Sequence, residues 1–346
     1  MILHAKTFES QIMSIAPGKV ILFGEHFVVY GYPSLIASID RFFKIKVIFS
    51  SSPGNEIQIE SNLGFRATVR NSVLSFPPDQ DNTYYETIKK LYNVIKYLMI
   101  NTGIDVQPRY NILIHLDSEI PLGGGLGSSS AFCVALTAAL YHSINNKVNK
   151  NMICSESINA EKIINRNTSG ADCNICTFGG LGQFDKLNGF KRISLDLSDY
   201  QFLIIDSGVA HDTFSMVEKV SKIKNNNPNA FSNLCIEYGG IYDQVLSYLE
   251  DKDIAHVGEL LNRNHDLLAK LSLSNPIVDK IINICNSEGS LGTKITGAGG
   301  GGSVLSLIHK EDHSVSKKIL KRLDLLNLKY FFAKIDPDGL RIGCKN

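Results

Sequence analysis

The chain has 346 residues, of which 44% are hydrophobic and 20% charged, as in an ordinary globular protein of one large domain or two moderate ones. Its 35 basic and 34 acidic residues leave a net charge of +1, which argues against a dedicated nucleic-acid binder, and no apolar run approaches the roughly 18 residues of a membrane span. Seven scattered cysteines, and an N-terminus without the basic flank and apolar run of a signal peptide, favour a cytoplasmic protein over a disulfide-linked secreted one.

The first half of the chain alternates between predicted strands and helices. Apolar stretches around a glycine-rich turn are Ile12–Ile15, Val20–Phe23 and Val28–Tyr30. Strands are predicted at Lys44–Phe49 and Tyr110–Leu116. Helices are predicted at Tyr84–Ile100, with a cap near Gly103, and at Ala131–Leu140 and Ser155–Asn165.

The second half is mostly helical. After a polar stretch at Gly189–Ser198, a buried strand is predicted at Phe202–Asp206. Helices are predicted at 212–223, 236–249, 253–271 and 276–287. Strands are predicted near Val304–Ile308 and Lys329–Lys334. Strands and helices in both halves predict an α+β protein with two lobes, divided near residue 190.

A glycine-rich segment between a predicted strand and a predicted helix is the most informative motif. It runs Pro121-Leu-Gly-Gly-Gly-Leu-Gly-Ser-Ser-Ser-Ala131. Glycines let the backbone approach a ligand closely, serines can cap the helix, and its first N–H groups carry partial positive charge. These features favour a phosphate-binding loop over a simple turn. The segment is neither a Walker A loop, since no lysine follows the last glycine, nor a nucleophile elbow.

A second glycine-rich segment lies near the C-terminus and runs Lys294-Ile-Thr-Gly-Ala-Gly-Gly-Gly-Gly-Ser303. Gly297, Gly299 and Gly302 match the spacing of a dinucleotide-binding fingerprint, but that motif needs a helix after it and here a strand is predicted. A loop that closes over phosphates and a flexible hairpin both stay open as readings of this segment taken alone.

The N-terminal segment Ala16-Pro-Gly-Lys-Val-Ile-Leu-Phe-Gly-Glu-His-Phe-Val-Val-Tyr-Gly31 places three ionisable residues in an apolar stretch. They are Lys19, Glu25 and His26. Charges within a hydrophobic run are unfavourable unless they are paired or used, so these residues are candidates for a functional site.

Cys173 and Cys176 form a C-x-x-C motif. A zinc site normally needs a second pair of ligands, and a redox motif needs a thioredoxin-like context. The sequence offers neither at suitable spacing, which argues against a metal or redox role for this pair. The other cysteines are expected to be buried apolar residues.

Together, the three glycine-bearing segments resemble the three motifs of the GHMP kinases, the family named for galactokinase, homoserine kinase, mevalonate kinase and phosphomevalonate kinase. The N-terminal segment is similar to the mevalonate kinase form of the first motif. A fourth segment, Asn167-Thr-Ser-Gly-Ala-Asp172, resembles the stretch that carries the catalytic aspartate. The resemblance extends from about residue 14 to residue 303, which is most of the chain.

The resemblance implies the two-lobed fold of this family. Residues 1–190 would form an N-terminal lobe that resembles ribosomal protein S5 and carries the ATP and catalytic motifs. Residues 191–346 would form a ferredoxin-like α/β lobe with extra helices, which carries the glycine-rich closing loop.

The resemblance also implies ATP-dependent phosphorylation of the 5-hydroxyl of mevalonate, in isoprenoid biosynthesis. Asp172 would accept the proton of the alcohol beside Lys19, and Ser129 and Glu161 would bind Mg²⁺. The implied ATP-binding residues are Pro121, Gly123, Gly124, Gly125, Leu126, Gly127, Ser128, Ser129 and Ser130. The implied substrate-binding residues are Lys19, Glu25, His26, Ser169, Asp172, Thr213, Gly297, Ala298 and Gly299.

Three departures from the family pattern are visible. Cys173 stands where the family usually has Asn, and Thr168 where it usually has Pro. The triplet His211-Asp212-Thr213 replaces the frequent Arg-Ser-Thr, which weakens the assignment of Thr213. None of them removes a proposed catalytic group.

Other functions compete with this prediction. They are another GHMP kinase, acting on phosphomevalonate or a sugar, and a non-catalytic binding protein of the same fold. Retention of Lys19, Ser129, Glu161 and Asp172 together argues against the non-catalytic protein. An NAD-dependent oxidoreductase would rest on the fingerprint spacing alone. The expected partner is a small-molecule substrate, without nucleic acid or membrane, and a homodimer is compatible with the sequence.

Overall fold

The computed structural model describes residues 10–78, 85–105, 110–145, 148–166, 168–210 and 212–345. Tyr84, Asn167 and His211, which the sequence analysis named, lie outside these ranges. Within them the chain forms two β-sheets with helices packed against both. No helix in the described ranges is long and apolar enough to cross a membrane.

The elements of the described ranges follow in chain order. The strands are β1 (Ser10–Phe23), β2 (Ser34–Pro53), β3 (Glu56–Ser61), β4 (Arg66–Arg70), β5 (Val73–Ser75), β6 (Tyr110–Ser118), β7 (Leu181–Asp185), β8 (Gly189–Ile193), β9 (Tyr200–Asp206), β10 (Gly292–Ile295), β11 (Ser303–His309), β12 (Lys329–Ala333) and β13 (Arg341–Lys345). The helices are α1 (Tyr85–Thr102), α2 (Ser128–Ile144), α3 (Lys150–Ile164), α4 (Ala171–Phe178), α5 (Thr213–Asn226), α6 (Pro228–Glu250), α7 (Ile254–Lys270), α8 (Pro276–Ser287) and α9 (His313–Asp324).

The larger sheet runs in the order β13-β1-β2-β6-β3-β4-β5, and the β7–β8 hairpin joins it through β2. Its pairs are antiparallel except β3 with β6. A bulge at Pro17/Gly18 bends β1. There the strand passes so near the glycine-rich segment before α2 that a Cβ on Gly18 would lie 2.9 Å from the Leu126 carbonyl oxygen.

The smaller sheet runs in the order β10-β11-β9-β12 and is antiparallel throughout. Helices α7 and α8 pack against β10. The central strands are buried over most of their length. Phe202–Ile205 form an uninterrupted apolar run, and Val304–Ile308 are all buried and apolar except for Ser306. This confirms the two strands predicted at these positions.

Helix α2 is the central helix of the larger layer. It is buried continuously from Ser130 to Leu140, and it packs against β1 and β2 as well as against α1, α3 and α4. A helix that is apolar on every face belongs in the interior. Because α2 cannot shift without disturbing that core, its N-terminus is held at a defined place beside β1.

Most predicted elements are confirmed, and the differences have local causes. Ile12–Ile15 and Val20–Phe23 belong to the single strand β1, because the bulge absorbs the Pro17-Gly18 pair that suggested a turn. Val28–Tyr30 lies in the 3₁₀ turn Phe27–Tyr30.

Helix α6 begins at Pro228 rather than at residue 236, since the Asn227 side chain caps it and proline suits its first turn. Several elements were not predicted, namely β3, β4, β5, α4, β7, β8, β10, α9 and β13. Strand β8 crosses residue 190, and β13 returns from the C-terminus to pair with β1, so the larger sheet takes strands from both sides of the predicted lobe boundary. A division into lobes at residue 190 stays a prediction.

Candidate active site

A cleft of about 640 Å³ lies where β1, the segment before α2 and the second glycine-rich segment meet. The predicted site residues that line it are Lys19, Glu25, His26, Pro121, Gly123, Gly124, Gly125, Leu126, Gly127, Ser128, Ser129, Glu161, Ser169, Asp172, Thr213, Gly297 and Ala298. Ser130 and Gly299 do not line it. The Ser130 hydroxyl donates to Glu161 instead, and a Cβ on Gly299 would face Leu273.

An ion pair between Lys19 and Asp172 forms one wall of the cleft. The Lys19 Nζ lies 3.1 Å from the Asp172 Oδ2, and the lysine is buried while the carboxylate is about one-third exposed. Asp172 lies in the first turn of α4, where the helix dipole favours a negative charge. The pair therefore presents a carboxylate to the cleft with a buried ammonium behind it.

The glycine-rich segment before α2 positions Lys19. The Lys19 backbone N–H donates to the Leu126 carbonyl at 2.9 Å. Gly127, with φ 76°, is the N-cap of α2, and a Cβ there would lie 2.7 Å from the Lys19 Cγ. The aliphatic stem of the lysine thus occupies space that only a glycine at position 127 leaves open.

The start of α2 leaves its backbone donors available. Gly127 offers no side chain that could cap the first turn. The first N–H groups of a helix lack partners within the helix and attract anions. This end of α2 opens on the cleft through Ser128 and Ser129, so it fits a phosphate group.

Glu161 of α3 is almost completely buried and accepts four hydrogen bonds. Its Oε1 accepts from the hydroxyls of Ser129, at 3.2 Å, and Ser130. Its Oε2 accepts from the Thr168 hydroxyl at 2.8 Å and the Cys173 thiol at 3.3 Å. Glu161 therefore does not belong to a solvated face of α3.

Burial raises the pKa of Glu161, and the nearby carboxylate of Asp172 raises it further, while its hydrogen bonds oppose the change. No group of three or more His, Cys, Asp or Glu side chains within the described ranges is arranged to hold a metal ion. The Ser129 hydroxyl and the Glu161 carboxylate are hard oxygen donors that both line the cleft. Such a pair suits Mg²⁺, which takes few protein ligands and keeps phosphate oxygens and waters for the rest.

Glu25 and His26 both line the cleft but differ in their partners. Glu25 forms a completely buried ion pair with Lys294 of β10. Burial raises the pKa of Glu25 and lowers that of Lys294, and each charge opposes the shift of the other. His26 donates from Nε2 to the Ala298 carbonyl at 2.8 Å, and burial lowers its pKa, so the ring is neutral near pH 7 and its Nδ1 is an acceptor.

Two family models match the chain. The model described as GHMP kinases N terminal domain matches residues 86–180, and the one described as GHMP kinases C terminal matches residues 245–324. A mevalonate kinase of Methanocaldococcus jannaschii is 30% identical over 329 residues, which cover 92% of this chain and 98% of that one. The chain belongs to the GHMP kinase family.

Solved structures of GHMP kinases share its fold. The crystal structure of the Methanococcus jannaschii mevalonate kinase matches with a TM-score of 0.80 at 28% identity, over 94% of this chain and 98% of that one. The L. major mevalonate kinase in complex with R-mevalonate matches with a TM-score of 0.79 at 24% identity, over 93% and 95% of the two chains. The predicted α+β fold of the GHMP kinases is confirmed.

The second glycine-rich segment of this GHMP kinase touches the first. A Cβ on Gly297 would lie 3.2 Å from the Gly125 Cα, so the two glycines let the backbones meet at the cleft. Farther along, the Gly300 N–H donates to the Leu273 carbonyl at 2.6 Å and the Gly302 N–H to the Val209 carbonyl at 3.0 Å. The structure thus anchors the far half of the segment, and its closure over phosphates stays a prediction.

Two further predicted residues lie at helix starts on the cleft. Thr213 is the first residue of α5, which Asp212 caps by accepting from two backbone N–H groups of the first turn. Ser169 precedes α4 and accepts from the Ala171 N–H at 3.3 Å. Their contacts with a substrate stay predictions.

Sequence reasoning missed two parts of the site. One is an apolar side of the cleft formed by Phe43, Leu63, Leu91 and Phe132, which come from four separate parts of the chain and share no local pattern. The other is Lys294, the partner of Glu25. The sequence did contain a signal for Lys294. Like Lys19, it is a single lysine beside a glycine-rich segment, in a strand where an unpaired charge would be unfavourable.

Proposed function

We propose that this GHMP kinase transfers the γ-phosphoryl group of ATP to the 5-hydroxyl of mevalonate. The observation that carries this proposal is the Lys19–Asp172 ion pair, 3.1 Å long, in the same cleft as the glycine- and serine-rich start of α2. One feature suits proton transfer from an alcohol and the other suits phosphate binding. Relatives named mevalonate kinase, which match nearly the whole chain, support mevalonate as the acceptor.

The proposed reaction is a single displacement at phosphorus. The acceptor oxygen forms a bond to the γ-phosphorus while the bond from that phosphorus to the β–γ bridging oxygen breaks, and ADP leaves. The acceptor hydroxyl gives its proton to the Asp172 carboxylate. Lys19 stabilises the negative charge that develops on the acceptor oxygen, and its burial strengthens that interaction.

The first glycine-rich segment would hold the triphosphate. Gly123, Gly125 and Gly127 all have positive φ, which lets successive N–H groups turn toward one ligand. The first N–H groups of α2, which have no partner within the helix, add to this attraction. Ser129 and Glu161 would hold Mg²⁺, which, when bound, neutralises charge on the phosphate oxygens.

The test of the substrate is an ADP-release assay with mevalonate, phosphomevalonate, homoserine and galactose side by side. We expect mevalonate to exceed the other acceptors in kcat/KM by on the order of 10²-fold or more, because a site that hydrogen-bonds its substrate discriminates strongly against other polar molecules. Greater turnover of phosphomevalonate or a sugar would assign a different GHMP kinase activity. Absence of turnover with every acceptor would favour a binding protein.

The test of the mechanism is Asp172→Asn, together with Lys19→Met. We expect each to lower kcat by about 10²–10⁴-fold, the usual contribution of a positioned acid–base group, with ATP affinity nearly unchanged. The control is Glu237→Gln with Lys270→Met, since that exposed pair, 3.3 Å apart, lies outside the cleft. Near-normal turnover of Asp172→Asn, or a Lys19→Met effect confined to ATP affinity, would contradict the assigned roles.

A further inference from the structure

The end of β1 is tied to residues 294–298 by side-chain contacts across about 270 positions of sequence. Each contact joins either Ile21 of β1 or the candidate acceptor-binding residues that follow this strand, Glu25 and His26, to the second glycine-rich segment. The pairs are Lys294 with Glu25, Thr296 with Ile21, and His26 with Ala298. The acceptor side of the cleft is therefore held from the smaller sheet.

Lys294 makes the strongest of these ties. Its side chain is completely buried, and its ammonium donates to the Glu25 Oε1, to the Ile295 carbonyl at 2.7 Å and to the Ile21 carbonyl at 3.5 Å. An ammonium has three N–H donors, and all three have an acceptor here. Lys294 does not line the cleft, so it acts on a bound ligand through Glu25, which does.

Glu25 has one carboxylate oxygen engaged and one free. Its Oε2 is buried and has no hydrogen-bond partner in the part of the chain that the structure describes. A buried acceptor without a donor is unfavourable, and native proteins seldom leave one unmatched. Glu25 lines the cleft, so a donor for Oε2 can come from a molecule bound there.

The backbone around Glu25 is held in an unusual conformation. Gly24 has φ 107° and His26 has φ 61°, a left-handed value that few residues other than glycine adopt. The His26 ring is fixed by the Ala298 carbonyl. Such conformations persist when surrounding contacts enforce them, and they gather at binding sites. The contacts from residues 294–298 supply that enforcement on both sides of Glu25.

We propose that Lys294 is a positioning residue, which orients the Glu25 carboxylate so that its free Oε2 accepts a hydrogen bond from a hydroxyl group of the phosphoryl acceptor. This inference rests on the proposed function only in taking the acceptor to be an alcohol. Because a carboxylate accepts but does not donate, the site favours a hydroxyl at this point over a carboxylate or phosphate group of the ligand.

The test uses Lys294→Met, Glu25→Gln and the double variant Lys294→Met/Glu25→Gln. The single lysine change leaves a buried carboxylate unpaired and can destabilise the fold, whereas removing both charges of a buried pair is often tolerated. Thermal unfolding identifies the variants that remain folded. Steady-state KM values for mevalonate and for ATP are then measured on each. Lys44→Met/Glu119→Gln is the control, since this partly exposed ion pair lies outside the cleft.

We expect the folded variants to raise the KM for mevalonate at least tenfold and the KM for ATP less than twofold, while the control changes neither. A folded double variant with an unchanged mevalonate KM would overturn the inference, because the pair would then be purely structural. An equal rise in both KM values would also overturn it, since that pattern indicates general distortion. Failure of the unmutated chain to turn over mevalonate would instead count against the proposed function.

Discussion

His265 shows how burial changes the chemistry of one residue. It lies in α7, is 6% exposed, and its Nδ1 has no hydrogen-bond partner within the described ranges. Burial lowers its pKa to about 4, the positive charge of Lys294 lowers it as well, and Asp279 opposes them. The folded protein therefore holds this imidazole neutral well below the pH at which a free histidine takes up a proton.

His265 predicts a loss of stability in acid. The unfolded chain binds a proton near the ordinary histidine pKa of about 6.5 while the folded chain does not, so the free energy of unfolding falls with pH between those two values. The loss approaches about 1.4 kcal/mol per pH unit, or roughly 3 kcal/mol by pH 4. Urea unfolding between pH 7 and pH 4 should show a smaller loss in His265→Gln.

The control for this prediction is His313→Gln, which removes an exposed histidine at the start of α9. It should leave the pH dependence of unfolding as in the parent protein. Equal acid sensitivity in the parent and in His265→Gln would show that other groups, such as the carboxylates, account for the loss.

At the scale of elements, helix α2 links the packed core to the cleft, because its body is buried while its first residues line the cleft. The body of the helix is fixed by the core, and Gly127 allows the chain to enter the helix beside the Lys19 stem. Position 127 requires glycine for two separate reasons, the positive φ of its backbone and the closeness of the Lys19 side chain. The second reason can be isolated, because Gly189 has a similar φ of 73° and no atom near its Cβ position.

Gly127→Ala and Gly189→Ala therefore form a matched pair. Both should lower the free energy of unfolding by about 1–2 kcal/mol, since alanine is strained at positive φ. Only Gly127→Ala should also lower kcat, by more than about tenfold. The added Cβ displaces the Lys19 side chain from Asp172, and small misplacements of catalytic groups slow the chemical step. Urea unfolding and steady-state kinetics measure the two effects. Equal kcat values in both variants would contradict the steric argument.

At the scale of the molecule, the C-terminal segment closes the larger sheet. Strand β13 pairs with β1, and an isolated bridge joins Ile39 to Ile335. The buried Asp336 is paired with Arg341, while its carbonyl accepts from the Gly180 N–H and the Ser38 hydroxyl, both at 2.7 Å. The last residues of the chain thus hold the sheet that carries Lys19.

Arg341→Met should destabilise the whole larger sheet. It leaves the Asp336 carboxylate buried without its cation, so we expect a loss of about 2 kcal/mol or more in the free energy of unfolding. Arg322→Met breaks the half-exposed pair with Glu288 and should lose less than about 1 kcal/mol. Denaturant titration compares the two. A loss in Arg341→Met no larger than in Arg322→Met would refute this account of the C-terminal segment.

Sequence patterns identified most of the elements and most of the residues that line the cleft, because both are marked by contiguous residues. Helical spacing predicted α1, and the clusters of glycine and serine identified segments that meet at the cleft. Sequence patterns gave the wrong prediction where long-range contacts stabilise a residue that is unusual in its local sequence. Pro17-Gly18 looked like part of a turn but is a bulge within β1, and no local pattern marked Glu161 as a buried residue that accepts from four donors.

The sequence by itself determined the family resemblance, the two glycine-rich segments and the ionisable residues of the N-terminal segment, since each is a property of neighbouring positions. Only the tertiary structure decided which distant groups meet. Lys19 reaches Asp172 because β1 packs against α4, and Lys294 reaches Glu25, 269 positions away, because β10 lies beside the end of β1. Such pairs depend on strand register and helix packing, which many residues specify jointly and no local pattern records.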